Sequence, residues 1–508
     1  MKDKKHKGIK AATSTLLSLV MATTLMGAIP NQALAASDDE QVFRLTIQIP
    51  ADGLAFIIPT SGALNGLDTA KPFNWNIDWG NGFVGTEFGV SSENGGVGSS
   101  YEKAGVYTIT ITPNGSTEAW LAAFGFGNSL AGSGANDPAN KVMLIGVPCA
   151  LTPEMTRTDA QITGTALPPD FEWAMAFQFC GSLVQAPTFA GWENISSVGN
   201  YFARCMFFGC ISLQQLPDGF NLPPSITSTG SEFAYGMFTL CTSLVALPEG
   251  FNLPQSIISV GDSFAYGLFN ECTRLEALPA GFNFPQGITE APDLFAAGMF
   301  YDCTSLKILP DGFNLPQAME SAGNDFVIYL FDSCSSLATL PQGFSLPPNI
   351  NTAGYNFASN MFHNAGSSTF QINDEFRLPV GLAADCTGAF GGAFQLSPDA
   401  PVQLRSAASI IGGCPTPADA RYTFDSHFSD LPYIPVNWGG GGLPRVGAPG
   451  SGDLDGDGFV TMSEVSICAL AAIGSADLSP AQLDAIDIDR DGVFTMADVM
   501  LVYAIAIM

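Results

Sequence analysis

The chain has 508 residues and a formal charge of −29, from 47 acidic against 18 basic side chains. A surface this acidic repels nucleic acid and anionic membranes, which excludes binding to either as its main role. Hydrophobic residues make up 46% and charged residues only 13%, so acidic disorder is excluded too, and the length allows several folded domains.

Lys2, Lys4, Lys5, Lys7 and Lys10 precede an apolar stretch from Ala11 to Met26, and Ala33-Leu34-Ala35 follows. This is the pattern of a secretory signal peptide over residues 1–35, with cleavage expected after Ala35. The apolar core is short and broken by Ser and Thr, which argues against a membrane anchor. Without residues 1–35 the charge is −33, from 13 basic and 46 acidic residues. The expected location is secreted, extracellular or held at the cell surface through a scaffold, with no membrane insertion and no nucleic-acid partner.

Residues 36–115 read as β. Val42 to Ile49 and Tyr107 to Ile111 alternate apolar and polar residues, as half-buried strands do. Between them lie Trp75-Asn76-Ile77-Asp78-Trp79-Gly80-Asn81-Gly82 and Tyr101-Glu102-Lys103-Ala104-Gly105-Val106-Tyr107. These two stretches resemble the signatures of PKD-like β-sandwich modules. Asn81 stands where that pattern usually has Asp, so the turn is read as structural rather than metal-binding. Residues 116–171 form a capping or transition segment, with Lys141 to Val147 as a buried strand candidate closing an exposed core end.

Residues 172–438 carry an internal repeat. Cys210, Cys241, Cys272, Cys303 and Cys334 follow one another at a spacing of 31, and Cys180 sits 30 before Cys210. Phe207, Phe238, Phe269, Phe300, Phe331 and Phe362 keep the same period. So do Leu213 and Leu216 with their counterparts, and Phe233, Phe264, Phe295, Phe326 and Phe357. A fixed period of this size means an array whose units bury their apolar faces against one another. Each coil is expected to hold a short Leu-x-x-Leu strand stopped by Pro, a Gly-Phe-Asn-Leu-Pro turn and one helical piece such as Ser263 to Phe269. The five column cysteines should point inward as buried free thiols, although stacked Cα atoms would leave disulfide bridges geometrically open.

The run Phe-x-x-Cys-x-Ser-Leu-x-x-Leu-Pro resembles the BspA-like leucine-rich repeat surface proteins of bacteria. That resemblance implies a right-handed leucine-rich repeat solenoid with a binding or adhesion role. Gln214, Gln215, Glu276 and Lys307 lie between the core columns and would line a protein-binding face. The visible Phe columns read as internal, which counts against a glycan platform.

Residues 439–452 are a Gly/Pro linker, and residues 453–508 hold the strongest local motif. Asp453, Asp455, Asp457, Phe459, Thr461 and Glu464 occupy positions 1, 3, 5, 7, 9 and 12 of a calcium loop, with Gly458 at the sharp turn. Thirty-four residues on, Asp487, Asp489, Asp491, Val493, Thr495 and Asp498 repeat the pattern, Asp498 replacing the usual Glu. Two Ca2+ ions are expected. Ten carboxylates against Arg490 leave this segment at −9, so cation binding should be coupled to its folding. Helices should follow each loop, over Met462–Ile473 and Met496–Ile507, with another opened by Ser479-Pro480-Ala481-Gln482.

A duplicated loop-helix unit after such a linker resembles a type I dockerin. The resemblance implies a cohesin domain of a scaffold protein as partner, chosen by Met462-Ser463 and Met496-Ala497. The fold class expected overall is mixed: a β-sandwich-like module, a solenoid of 31-residue repeats and a small α-helical paired calcium-loop domain. A catalytic pair is not visible. Asp218 and Glu249 share a column that continues as Ala280, Asp311 and Gln342, as a solvated position does. No signature joins Cys386 or Cys414 to His363 or His427. The reading is a non-catalytic binding or adhesion protein tied to a cellulosome-like complex, its repeats gripping a protein or glycan. The alternative is a polysaccharide-degradation component with glycoside hydrolase or carbohydrate-binding activity.

Overall fold

The computed structural model describes residues 42–59, 72–90, 96–115, 119–121, 124–126, 138–164, 166–370 and 393. Towards the C-terminus it describes 454, 462–472, 478, 483, 485–488 and 494–506. The chain divides into two compact units, Met1–Asp38 and Asp39–Met508, and every described residue belongs to the second. The signal peptide, the linker and the divergent coils before it lie outside the described residues, apart from Ala393.

The N-terminal part is antiparallel β. Strands β1 (Phe43–Ile49), β3 (Pro72–Asp78), β4 (Val84–Val90), β6 (Gly105–Pro113) and β7 (Leu144–Gly146) form one sheet in the order β4-β3-β6-β1-β7. Strands β2 (Ala55–Pro59) and β5 (Gly96–Ser100) pair separately. The alternation read in β1 becomes burial: Phe43, Leu45, Ile47 and Ile49 are fully buried, facing a core shared with Trp75, Ile77, Ile109 and Ile111. The turn after β3 is a hydrogen-bonded structural turn. Asp78 Oδ1 accepts from Gly80 N at 2.9 Å, and Asn81 Nδ2 donates to Ser99 Oγ and Ser100 O at 3.0 Å.

This sheet runs directly into the repeats. β7 pairs antiparallel with β1 and, through Gly146, bridges in parallel to Gln185 of the first coil. β8 (Ala150–Leu151) pairs in parallel with β9 (Thr188–Phe189), and two one-turn helices, α1 (Pro138–Lys141) and α2 (Asp159–Ile162), lie in the same stretch of chain. Phe43 stacks on Trp173 at 6.4 Å, and Phe124 meets Phe177 at 6.0 Å, so one apolar core continues from sheet to coils. A buried ion pair sits at the junction. Arg157 Nε and a terminal guanidinium nitrogen donate to the two carboxylate oxygens of Glu172 at 2.8 and 2.5 Å, with the guanidinium also on Ser197 O. Thr156 Oγ1 adds a third donor to Glu172 at 3.0 Å.

The repeats stack unit on unit. Phe177, Phe207, Phe238, Phe269, Phe300, Phe331 and Phe362 form a spine of near-parallel rings, with Phe238 and Phe269 5.7 Å apart at 4°. Phe202, Phe233, Phe264, Phe295, Phe326 and Phe357 form a second spine. A third, Phe220, Phe251, Phe282, Phe313 and Phe344, comes from the Gly-Phe-Asn segment. That segment is therefore more than a turn: its Phe drives each corner into the core. Its Asn forms a ladder outside. Asn252 N donates to Asn221 Oδ1 at 3.0 Å while Asn221 Nδ2 donates to Gly250 O at 2.9 Å, and Asn283 and Asn314 repeat this. The column thiols are free and buried, each donating to a carbonyl of the preceding coil, as Cys241 Sγ does to Phe207 O at 3.2 Å.

The expected helical piece is not a helix. From Glu232 to Cys241 every second residue except Phe238 takes positive φ: Glu232 at 57°, Ala234 at 53°, Gly236 at 55° and Leu240 at 62°. Half of the amides close tight turns, Met237 N to Ala234 O and Thr239 N to Gly236 O. Most of the others reach the next coil, Gly236 N to Tyr266 O at 2.7 Å, Phe238 N to Leu268 O at 2.9 Å and Leu240 N to Asn270 O at 2.9 Å, while Ala234 N donates back to Phe202 O of the preceding coil at 2.9 Å. An α-helix would spend every amide internally and leave none to join coils. The alternating ribbon instead accounts for its polar groups by stacking. Short parallel pairs bind other sides of the coils, including β10 (Ser197–Val198) with β11 (Ser228–Thr229), and β12 (Glu290–Ala291) with β13 (Ser321–Ala322) and β14 (Thr352–Ala353).

Backbones of successive coils approach closely where the repeat has Gly230 and Gly261. A Cβ on Gly230 would lie 2.6 Å from Asn200 N, and one on Gly261 would meet Ser231 N and lie 2.6 Å from Gly230 C. Gly250 has φ +81° but open space around it. Gly261→Ala should therefore lower the melting temperature more than Gly250→Ala, whose cost is the left-handed strain alone, about 1–2 kcal/mol. A second measurement addresses the thiols. Burial pushes the Cys241 thiol up to about 12, and Cys272 and Cys334 well above the ordinary value. Ellman's reagent at neutral pH should leave all three unlabelled in the native protein and label them once guanidinium unfolds it. Removing one member of the buried pair, as in Glu172→Ala, should destabilise by about 3–5 kcal/mol in denaturant titration because it strands the Arg157 charge.

Candidate functional site

The C-terminal segment packs as two related halves. Helices α3 (Met462–Ala472) and α4 (Met496–Ala506) pack together, and Leu483, Ala485 and Ile486 are helical between them. Leu454 and Ile488 are equivalent loop positions, and Val465 and Cys468 on α3 correspond to Val499 and Val502 on α4. All six belong to one small core. The repeat seen in the acidic residues is thus also a repeat in packing.

The second loop is drawn closed at its last ligand position. Asp498 is fully buried, and its carboxylate accepts from Ile488 N at 3.1 Å and from Thr495 N and Oγ1 at 2.9 and 3.2 Å. Positions 2, 9 and 12 of the loop thus converge, and Asp487 at position 1 is half-buried beside them in sequence. Both Asp498 oxygens accept hydrogen bonds from the chain itself, and among the described residues no group of three or more metal-ligating side chains is assembled. Asp453, Asp455, Asp457, Phe459, Thr461, Asp489, Asp491 and Val493 lie outside the described residues. So do the side chains of Glu464, Met462, Ser463, Met496 and Ala497, the last four at the helix starts. Sequence reading missed a feature of α4: Met500, Leu501, Tyr503 and Ile505 are exposed, Met500 at 62%.

Two polar constellations of the repeats fall among the described residues. Asp218 and Glu249 are both exposed, as solvated positions are. His363 Nδ1 lies 3.1 Å from Asp332 Oδ2, and Ser333 Oγ donates to Asp332 Oδ1 at 2.7 Å. The serine is tied to the carboxylate instead of the imidazole, so the histidine is not placed to take its proton. Gln214, Gln215, Glu276 and Lys307 do fall together on adjoining columns. Gln214 and Gln215 are exposed, and Lys307 Nζ pairs with Glu276 at 2.9 Å.

The turn ribbon holds a cleft among the described residues. One column of the repeat reads Arg204, Tyr235, Tyr266, Ala297 and Ile328. The Arg204 guanidinium lies 5.3 Å from the Tyr235 ring centre and pairs with Glu232. Tyr235 stacks on Tyr266 at 4.6 Å and 7°. At Ala297 the stack of rings stops, and a cavity of ≈340 Å³ opens there between Tyr266, Tyr301, Tyr329, Ile328 and Asp325. Such a volume is at the small end of ligand sites, about 300–1,000 Å³. The cleft is electronegative. Partial burial, then Tyr329 and Asp325, raise the Tyr266 phenol. Burial, then Asp332, Asp302 and Glu271, raise that of Tyr301. This non-repeating column was invisible to period reading, which follows what recurs.

Comparison with family models, curated proteins and solved structures returned no match. Among the described residues no helix is long and apolar enough to cross a membrane.

Burial and the neighbouring carboxylate raise both Glu271, next to Asp302, and Asp302, next to Asp332. The folded chain holds these protons to higher pH than the unfolded chain, so their contribution to stability rises as pH falls through the raised values and levels off below the ordinary 4.5 and 3.8. The double variant Glu271→Gln/Asp302→Asn should melt higher than the native chain at pH 7, with the gap closing towards pH 4. Thermal melts across that range would check the sign.

Proposed function

We propose that this is a secreted, non-catalytic binding or adhesion protein. Its repeats form a leucine-rich-repeat-type solenoid that grips a protein ligand, and its C-terminal segment is a dockerin that attaches it to a cohesin-bearing scaffold through two Ca2+ ions. The observation that carries the attachment reading is the paired packing of the two loop-helix halves, Leu454 with Ile488, Val465 with Val499 and Cys468 with Val502 in one core. A site with near-twofold symmetry suits a partner domain that can dock in two orientations. The exposed Met500, Leu501 and Tyr503 on α4 add apolar surface of the kind interface centres use. The stacked array supports the binding reading, because a rigid series of coils presents long faces of variable side chains over an invariant core.

The test is capture of the full mature chain on immobilised cohesins, with calcium and with chelator. Capture should require calcium, and Asp455→Ala combined with Asp489→Ala should abolish it. Capture that ignores both the chelator and the double variant would overturn the attachment reading. Calorimetric titration of the metal-stripped chain should count two Ca2+ ions, with Asp489→Asn removing one of them.

A further inference from the structure

We infer that the cleft above Ala297 is a binding site for an organic cation, an arginine side chain presented by a basic peptide of the partner. This rests on the reading of the repeats as a protein-binding array and names the chemistry of that recognition. The argument begins with what the chain already builds in the same column. At its N-terminal end Arg204 lies against the Tyr235 ring, within 5.8 Å of Tyr201 as well, and Glu232 balances the charge. Tyr266 continues the stack. After Tyr266 the column gives Ala297, a fully buried methyl group in place of a ring, and both residues line the cavity. The repeat position that holds Glu232 holds Asp325 three coils later, and Asp325 lines the cavity. One end of the ring stack is thus closed by a guanidinium with a carboxylate, and the other end has the ring and the carboxylate.

The rest of the wall is suited to the same guest. Tyr301 and Tyr329 stand roughly edge to face at 6.2 Å and flank the opening, and Tyr329 is 39% exposed. Three tyrosine rings with a carboxylate form the type of aromatic surround that attracts a cation through ring quadrupoles. Asp325 lines the cavity with one oxygen, Oδ1, held by Asn356 Nδ2 at 3.0 Å, so its carboxylate is positioned to accept from the planar N–H fork of a guanidinium beside Asn270. Among the described residues lining the cavity none is Lys or Arg. The net charge of −29 would steer a basic partner towards the chain. A neutral sugar would gain nothing from these charges.

The experiment titrates the full mature chain with the peptides Gly-Arg-Gly and Gly-citrulline-Gly, the second replacing the guanidinium by a neutral urea of the same shape. Choline and cellohexaose are run alongside. Gly-Arg-Gly should bind about tenfold or more tightly than the citrulline peptide, and the difference should shrink with added salt. Ala297→Tyr, which extends the existing ring stack over the cavity, should abolish binding, and Asp325→Asn should weaken it about tenfold. Thermal melting of each variant is measured first. If Ala297→Tyr fails to fold, Tyr329→Ala, at an exposed ring, serves instead and should weaken binding. Equal binding of the two peptides, retention of Gly-Arg-Gly by a folded Ala297→Tyr chain, choline outcompeting arginine, or preference for cellohexaose would each overturn the proposal. Calcium-dependent capture on cohesins, measured on the same samples, reports the attachment reading separately, so either can fail alone.

Discussion

The hydrogen bond from the amide of one coil to the carbonyl of the next, 30 residues on, is the constraint on which the repeats depend. It goes with left-handed conformations in the ribbon, as at Leu240, Glu271 and Asp302, whose amides make this bond. Each such non-glycine residue costs about 1–2 kcal/mol in isolation. A single coil could not hold that geometry. Stacking offsets the cost with inter-coil hydrogen bonds of about 0.5–1.5 kcal/mol each and with three continuous ring spines. Gly236, Gly267 and Gly298 take the same conformation where the next positions in the column, Tyr329 and Asn360, bear it with side chains. The repeats are therefore cooperative: local strain is acceptable only when neighbours are present.

The period of 31 made much of this legible in advance. The Phe207 and Phe233 columns and the inward cysteines could be placed by counting, because a buried position tolerates few residue types and so repeats, whereas the expected Leu-x-x-Leu strand shrinks to isolated bridges such as Gln215 with Ala246 and Ala277 with Ile308. The local path of the chain could not. Apolar residues at Phe264, Leu268 and Phe269 satisfy a helical spacing, and nothing in one repeat distinguishes a helix from a ribbon that bonds to its neighbours. The difference lies in where the amides go, which is a property of the stack. Phe220 and its counterparts were hidden by their setting: Gly before and Asn-Leu-Pro after read as a turn, and only the stack shows a corner wrapped around a ring.

The candidate sites divided in the same way. The acidic loops of the tail were read from residue types at fixed intervals, of which the described side chains include only Asp487 and Asp498 among the carboxylates. The tyrosine cleft was not, because a binding surface on an array is made by departures from the repeat. Arg204, Tyr235, Tyr266, Ala297 and Ile328 occupy one column with little resemblance to one another, and their relation exists only across coils.

The direction of the inter-coil bonds gives the ribbon an electrical polarity. At Gly236, Phe238, Gly267, Phe269, Gly298 and Phe300 the amide hydrogen points towards the following coil, whose carbonyl points back. Peptide dipoles aligned in this way add, as they do in a helix. The carbonyl-bearing pole is at the first coil, where Phe126 N caps Ala176 O and where the cations Lys141 and Arg157 are buried. The amide-bearing pole is at the other end, where Phe362 N is met by Ala393 O. The two ends of the array are thus not interchangeable. On the ribbon side, where only the amides of Ala234 and its counterparts run the other way, a unit added after the last coil must offer carbonyls and one before the first coil must offer donors.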